Sequence, residues 1–299
     1  MITKTAMITI AGRPNVGKST LTNALVGEKI TIVSPKPQTT RTRILAVTSR
    51  GETQFVFADT PGFHRARTKL GNYMDDVVRQ SVADVDAVVL MVEPVASVGG
   101  AEQTLIRRLQ ETGVPAVLAI NKADTVQEKA ALLPVIAAYS QAYDFAAIVP
   151  ISAQTGDGVE ELLAELDKFA LEGPALFPDD VISDQPEKQI CAEIVREKLL
   201  LSLDKEIPHG TAVVVTKFAE RDDGSDIIDL DVTIYCEKQS HKGIIIGKHG
   251  AMLKRIGEQA RRDIEAFMGT KVFLQTWVKV KENWRDSDAL LRNFGFTNE

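Results

Sequence analysis

Gly12-Arg13-Pro14-Asn15-Val16-Gly17-Lys18-Ser19 has the spacing G-x-x-x-x-G-K-S, and the chemistry it suits is phosphate binding. A glycine loop that opens onto a helix N-terminus turns backbone N–H groups and the helix dipole toward an anion. Lys18 would reach the β- and γ-phosphates, and the Ser19 hydroxyl would ligate Mg²⁺. Gly12, Asn15, Val16, Gly17 and Thr20 would complete the cradle. A bare glycine turn is the competing explanation. The apolar run 6–10 before the loop and the helix-forming run 20–25 after it favour the cradle.

Three further stretches extend that chemistry. In Asp59-Thr60-Pro61-Gly62 the carboxylate can hold Mg²⁺ through water, and the Gly62 N–H can bond the γ-phosphate. In Asn121-Lys122-Ala123-Asp124 the Asp124 carboxylate can accept from both N1–H and the 2-amino group of guanine, which adenine cannot offer. The Lys122 stem can cover the base, and Asn121 can tie this loop to the cradle. Ser152-Ala153 offers a backbone N–H suited to guanine O6. Together these point to GTP, with Lys18 and Gly62 at the reacting phosphate.

Positioning such residues takes an α/β fold, a mostly parallel sheet covered by helices. Strands are expected near 6–11, 44–49, 54–58, 87–92, 116–120 and 147–150. Helices are expected near 18–26, 71–82, 101–112, 127–139 and 159–170. Each motif then falls beyond the carboxyl end of a strand, where such sheets hold ligands.

The chain has 299 residues, room for two domains, and a net charge of −6 that argues against wholesale coating of nucleic acid. Cys191 and Cys236 have no metal spacing and fall in apolar segments, which suggests buried thiols. The first residues carry no signal-peptide pattern, so a cytoplasmic protein is expected.

On these motifs, residues 6–170 resemble the translation-factor-class GTPases of the Ras superfamily, most closely the Era/EngA/MnmE group. The resemblance implies that Pro37-Gln38-Thr39-Thr40-Arg41 is the first switch, in which a threonine caps Mg²⁺. Thr40 aligns better, with Thr39 the alternative. Phe63 stands where Ras-type proteins carry a water-orienting glutamine, and it cannot hydrogen-bond that water. Hydrolysis must then rest on electrostatics, backbone groups and an added cation. In related proteins an asparagine at the position of Asn15 helps bind K⁺; a loop-bracing amide is the alternative role.

Residues 171–186, with Pro174, Pro178, Pro186 and Gly173, have the composition of a linker between a GTPase domain at 1–170 and a second domain at 187–299. The second half alternates as helix 187–203, strands 212–218 and 227–236, helix 251–268 and strand 271–281. Directly before the helix 251–268 lies Gly247-Lys248-His249-Gly250. A G-x-x-G turn lets backbone approach a sugar-phosphate chain closely. With Ile244-Ile245-Ile246 before it and the α-β-β-α-α-β order, the segment resembles an α+β KH domain of the prokaryotic type (type II). From Lys238 to Lys281 there are ten basic and three acidic residues, a net +7. Gly247, Lys248, His249, Gly250, Lys254 and Arg255 are the expected RNA contacts.

A GTPase followed by a KH domain is similar to the bacterial ribosome-assembly GTPases of the Era family. That resemblance implies binding to the 3′ region of small-subunit (16S) ribosomal RNA and a role in maturing the small ribosomal subunit. It also implies loose association with the inner membrane, and a monomer is expected. A metabolic kinase would leave 121–124 purposeless, and a scaffold GTPase would not need the basic G-x-x-G segment.

If Asp124 selects guanine, Asp124→Asn weakens GTP binding strongly and favours xanthosine nucleotides, because the amide can donate to the 2-oxo group. Competition binding with GTP and XTP checks this; unchanged GTP affinity would remove the assignment.

Overall fold

The computed structural model describes residues 1–62, 68–81, 85–221 and 224–296. Phe63 lies outside the described residues. Two compact units result, the first comprising Met1–Thr31, Thr40–Arg65 and Met74–Asp184.

In the first unit a seven-stranded sheet runs β2 (Ile44–Arg50), β3 (Thr53–Asp59), β1 (Lys4–Gly12), β4 (Ala87–Val92), β5 (Ala116–Ile120), β6 (Ala147–Pro150), with β7 (Leu171–Glu172) also pairing β1. β2 is antiparallel to β3 and β7 to β1, while the remaining pairs are parallel. Helices α1 (Lys18–Val26), α3 (Gly100–Thr112), α4 (Leu133–Ala142) and α5 (Val159–Asp167) accompany it, and α2 (Lys69–Gln80) belongs to this unit from Met74 onward. Every residue of β3, β4 and β5 is buried. That continuous burial is why these strands read as apolar runs without alternation. Ile8, Ile10, Phe57, Val89 and Leu162 pack in one cluster; Leu90, Leu118, Leu105 and Tyr139 pack in another.

The helix expected over 127–139 is displaced. Residues Lys129–Leu132 form a 3₁₀ turn, and α4 begins only at Leu133, with proline in its first turn. Pro134 lacks an N–H and fits where no intrahelical donor is needed, so it sets the start.

Residues 171–184, proline-rich like a linker, are held along the first unit. The Gln54 side chain accepts from Leu176 and Phe177 N–H at 2.8 and 3.0 Å and donates to the Phe177 carbonyl at 2.9 Å. Asp184 accepts from Leu45 N–H at 2.9 Å.

The second unit comprises Ile32–Thr39, Ala66–Tyr73 and Gln185–Glu299. Its three-stranded sheet has β9 (Ile227–Cys236) between β10 (Lys271–Val280, parallel) and β8 (Thr211–Glu220, antiparallel). Helices α6 (Glu187–Ser202), α7 (Gln239–Ile246) and α8 (Ala251–Met268) accompany this sheet, and α9 (Asp288–Asn293) follows it. Ile194, Leu199, Leu230, Ile234, Ile256 and Ile264 form the core, which also contains Cys191 and Cys236 as free thiols. Burial pushes the Cys191 thiol up to about 12.

One face of α6 is ionic although buried. Lys198 bonds Glu197 at 2.7 Å and Asp263 of α8 at 2.5 Å. Glu197 also accepts from Val33 N–H at 3.0 Å, and Arg196 donates to the Thr39 carbonyl. Among the described residues no helix is long and apolar enough to cross a membrane.

Candidate functional site

In the first unit β1 ends at Gly12 and α1 starts at Lys18, so the intervening loop sits at a strand's carboxyl end. Two glycines are obligatory here. Gly17 has φ 107°, and a Cβ on it would lie 2.2 Å from the Asn121 amide nitrogen. At Gly62 a Cβ would lie 2.8 Å from Pro14 Cα, so the turn after β3 abuts the loop backbone. Both close approaches leave backbone N–H groups as the exposed chemistry.

Lys18 is 6% exposed and donates to the Gly12 and Arg13 carbonyls at 3.1 and 3.2 Å. Burial pulls its pKa down to about 8 despite the nearby Asp59. Burial likewise pushes the Asp59 carboxyl up to about 6, against the opposing effect of Lys18 and of hydrogen bonds from Ser19, Thr40 and Thr60. Ser19 Oγ lies 2.8 Å from Asp59 Oδ2 and 2.9 Å from Thr40 Oγ1, and Thr40 Oγ1 lies 3.4 Å from Asp59 Oδ2. Asp59 Oδ1 is buried with no hydrogen-bond partner. Two hydroxyls, one carboxylate and an orphaned oxygen suit a hard cation that keeps waters and phosphate oxygens as its other ligands, as Mg²⁺ does. The Thr39 hydroxyl bonds the Lys36 carbonyl at 2.7 Å, so Thr40 is the threonine that converges here. Asn15 is exposed on the loop with φ 63°.

The Asn121 side chain joins three loops. Its Nδ2 donates to the Val16 carbonyl at 2.7 Å, and its Oδ1 accepts from Ala153 N–H at 2.9 Å. The tie to the cradle expected of Asn121 is therefore present. The amides of Ser152 and Ala153 are both engaged, the first with the Asp157 carbonyl at 2.8 Å, the second with Asn121. In this arrangement the pair braces the base loop. Lys122 takes φ 63°, and Asp124 is exposed in the short turn Ala123–Thr125.

Glu93 was not singled out from the sequence. Directly after β4, its carboxylate accepts from Arg13 of the cradle and Lys122 of the base loop. Partial burial raises its pKa, but these two cations outweigh burial and hold it below the usual carboxylate range. Arg13 Nε also lies 3.7 Å from Glu102. Asn23 is a second unforeseen brace. Its Oδ1 accepts from Ile30 and Thr31 N–H at 3.0 and 2.9 Å, fixing the chain that leaves α1.

In the second unit Gly247, His249 and Gly250 all have positive φ (73°, 51° and 78°), and the Lys248 and His249 side chains are exposed. A Cβ on Gly247 would lie 2.7 Å from Met252 Cβ, so α7 and α8 meet there with no room for a side chain. Beside this turn a groove of about 390 Å³ runs between α8 and β10. Leu253, Gly257, Leu274 and Thr276 supply its smooth wall, and Gly250, Lys254, Glu258 and Arg261 its polar one. Lys254 thus lines the groove. Arg255 does not line it; its guanidinium rests on Met252 Sδ at 3.2 Å. Arg261, two turns beyond Lys254, lines the groove too, because helical periodicity returns i+7 to the same face.

Residues 7–122 match the family model described as 50S ribosome-binding GTPase, and residues 206–285 match that of the KH domain. GTPase Era of Ruminiclostridium cellulolyticum is 48% identical over 98% of this chain and 97% of its own. GTPase Era of Trichlorobacter lovleyi is 48% identical over 98% of both chains. The chain belongs to the Era family of GTPases. A variant of Aquifex aeolicus Era bound to GDP and AlF₄⁻ superposes with a TM-score of 0.94 at 35% identity, covering 98% of this chain and 99% of that one. An Era in complex with MgGDPNP and nucleotides 1506–1542 of 16S ribosomal RNA gives a TM-score of 0.95 at 35% identity over 99% of each chain. The P-loop GTPase domain followed by a KH domain, expected from the motifs, is the architecture of this family.

The raised carboxyl of Asp59 gives a signed pH dependence. Below about pH 6 a proton competes for the oxygens that a divalent cation needs. Mg²⁺ affinity of the nucleotide complex therefore falls on acidification from pH 7 to 5, by up to about tenfold per pH unit. The Asp59→Asn variant retains only the nucleotide's own titration. Calorimetry at several pH values decides; the same slope in parent and variant would show that Asp59 does not titrate at the metal.

Proposed function

We propose that this chain binds GTP with Mg²⁺, hydrolyses it, and uses its KH domain to hold unpaired RNA from the 3′ region of small-subunit ribosomal RNA during maturation of that subunit. The observation that carries the reading is the pairing within one chain of two sites that suit these ligands. One is the Ser19–Thr40–Asp59 cluster beside buried Lys18; the other is an exposed Lys248–His249 turn at the end of a cationic groove. The Era complexes with MgGDPNP and 16S nucleotides support both halves.

In this proposal Lys18 neutralises the β- and γ-phosphates, and Ser19, Thr40 and Asp59 hold the cation. Gly62 N–H bonds the γ-phosphate, and Asp124 selects guanine. Loss of the γ-phosphate releases Thr40 and the Asp59–Gly62 turn, and that change alters presentation of the RNA-binding face. The domains in this reading are a GTPase domain at 1–170, a joining segment at 171–186 and a KH domain at 187–299. Action in the cytoplasm as a monomer belongs to the same proposal, while loose inner-membrane association rests on the family resemblance alone.

Replacing Lys248 and His249 with Asp abolishes RNA binding and leaves GTP affinity unchanged, because two acids in that turn face phosphate oxygens while its glycines keep the geometry. Lys18→Ala does the reverse to nucleotide binding. Fluorescence anisotropy with labelled RNA and labelled nucleotide on both variants checks this. RNA binding by the double variant at parental strength would place the groove elsewhere.

K⁺ beside the phosphates is the added cation of this proposal, with Asn15 as its ligand. Turnover is then faster in K⁺ than in Na⁺, and Asn15→Ala removes the difference. Equal rates for the parent in the two salts would refute the role of K⁺ and leave the GTPase intact.

A further inference from the structure

The edge strand β10 shows a face that the groove does not use. Its side chains alternate strictly. Val272 and Val278 are buried in the core and Leu274 and Thr276 line the groove, while Lys271, Phe273, Gln275, Trp277 and Lys279 are exposed. Phe273 is 48% exposed and Trp277 54%, an unusual outlay of aromatic surface on one strand face. Residues 271–281 contain three lysines and no acid, within a chain of net charge −6.

The neighbouring strand β9 sets two acids, Asp229 and Asp231, beside this face, and the first is neutralised. Asp229, the register partner of Phe273, is bonded by Lys217 at 2.9 Å and Arg221 at 2.8 Å. The Arg221 guanidinium also lies 5.2 Å from the Phe273 ring centre, so this ring already carries a planar cation on its face. Asp231 is opposite Gln275 and is paired in register with Lys217. Trp277 has the smaller Thr233 as its register partner.

We infer that this outer face of β10 is a second contact for single-stranded RNA, in which unpaired bases stack on Trp277 and Phe273 and Lys279, with Lys281 just beyond the strand, meets the phosphates. Aromatics on an open sheet face with cations around them stack bases without regard to sequence. Lys271 lies 3.5 Å from Glu265, so Lys279 and Lys281 carry most of the positive charge left for phosphate, which a bare apolar protein surface would not complement. The same strand presents Leu274 and Thr276 to the groove, so one strand would serve one RNA on both its faces. The inference rests on the KH domain's binding RNA and extends the footprint beyond the G-x-x-G groove.

The chain's two tryptophans make the test direct. Trp284 is fully buried, so quenching of tryptophan emission by a polar quencher or by a stacked base reports Trp277. The full chain is titrated with an RNA of the sequence of 16S nucleotides 1506–1542, unlabelled for emission and end-labelled for anisotropy. RNA is expected to quench the exposed tryptophan. Trp277→Ala is expected to bind about tenfold more weakly, the effect of one lost stacked base, and Trp277→Phe close to the parent. Trp284 emission in both variants reports that the domain remains folded. RNA that binds the parent without quenching, with Trp277→Ala binding equally well, would overturn this second contact and leave the groove reading standing. A parent that binds no RNA would sink the RNA reading itself and the second contact with it.

Discussion

A buried lysine and a buried aspartate share the cradle, and the rest of the first unit is arranged around that pair. Lys18 and Asp59 are almost fully withdrawn from water, and burial displaces the pKa of each toward its neutral form. Removing such charges from solvent costs several kcal/mol per ion unless partners restore what water gave. The chain supplies part of that, through two loop carbonyls for Lys18 and two hydroxyls for Asp59. A triphosphate and a divalent cation would supply the remainder. In this way the apolar sheet contributes to binding: strands buried along their whole length make the low dielectric in which the anion gains most.

That arrangement needs loops braced against one another. Asn121 ties the base loop to the cradle and to the turn at Ala153, and Glu93 bridges Arg13 and Lys122 from the end of β4. The braces all spring from adjacent strand ends, where a parallel sheet brings separate loops together. The second unit solves a different problem with the same element, backbone stripped of side chains. Gly247 allows two helices to meet, which leaves the Lys248 and His249 side chains exposed at the mouth of a groove. Its ligand is long and solvated, so the site is an open face with cations rather than a water-excluded cradle.

Much of this was legible in the chain, because the motifs are local. G-x-x-x-x-G-K-S, D-x-x-G, N-K-x-D and G-x-x-G each place backbone geometry and chemistry within a few residues, and apolar runs of strand length locate the sheet. The period-two pattern of β10 was equally plain, since alternation follows directly from strand geometry. What tertiary structure alone decided are meetings between residues distant in sequence. Thr40 rather than Thr39 converges on Asp59 because the Thr39 hydroxyl turns back to its own segment. Glu93 became a bridge only when β4 set it between two loops, and a glutamate followed by proline carries no such message by itself. The stretch 171–184, linker-like in composition, is held by Gln54 and Leu45, which lie more than a hundred residues earlier. Arg261 lines the groove because the helix's rotation against β10 decides which of several arginines faces it. Composition and spacing fix what a segment can do, whereas a partner across the fold fixes which of its polar groups remain free to do it.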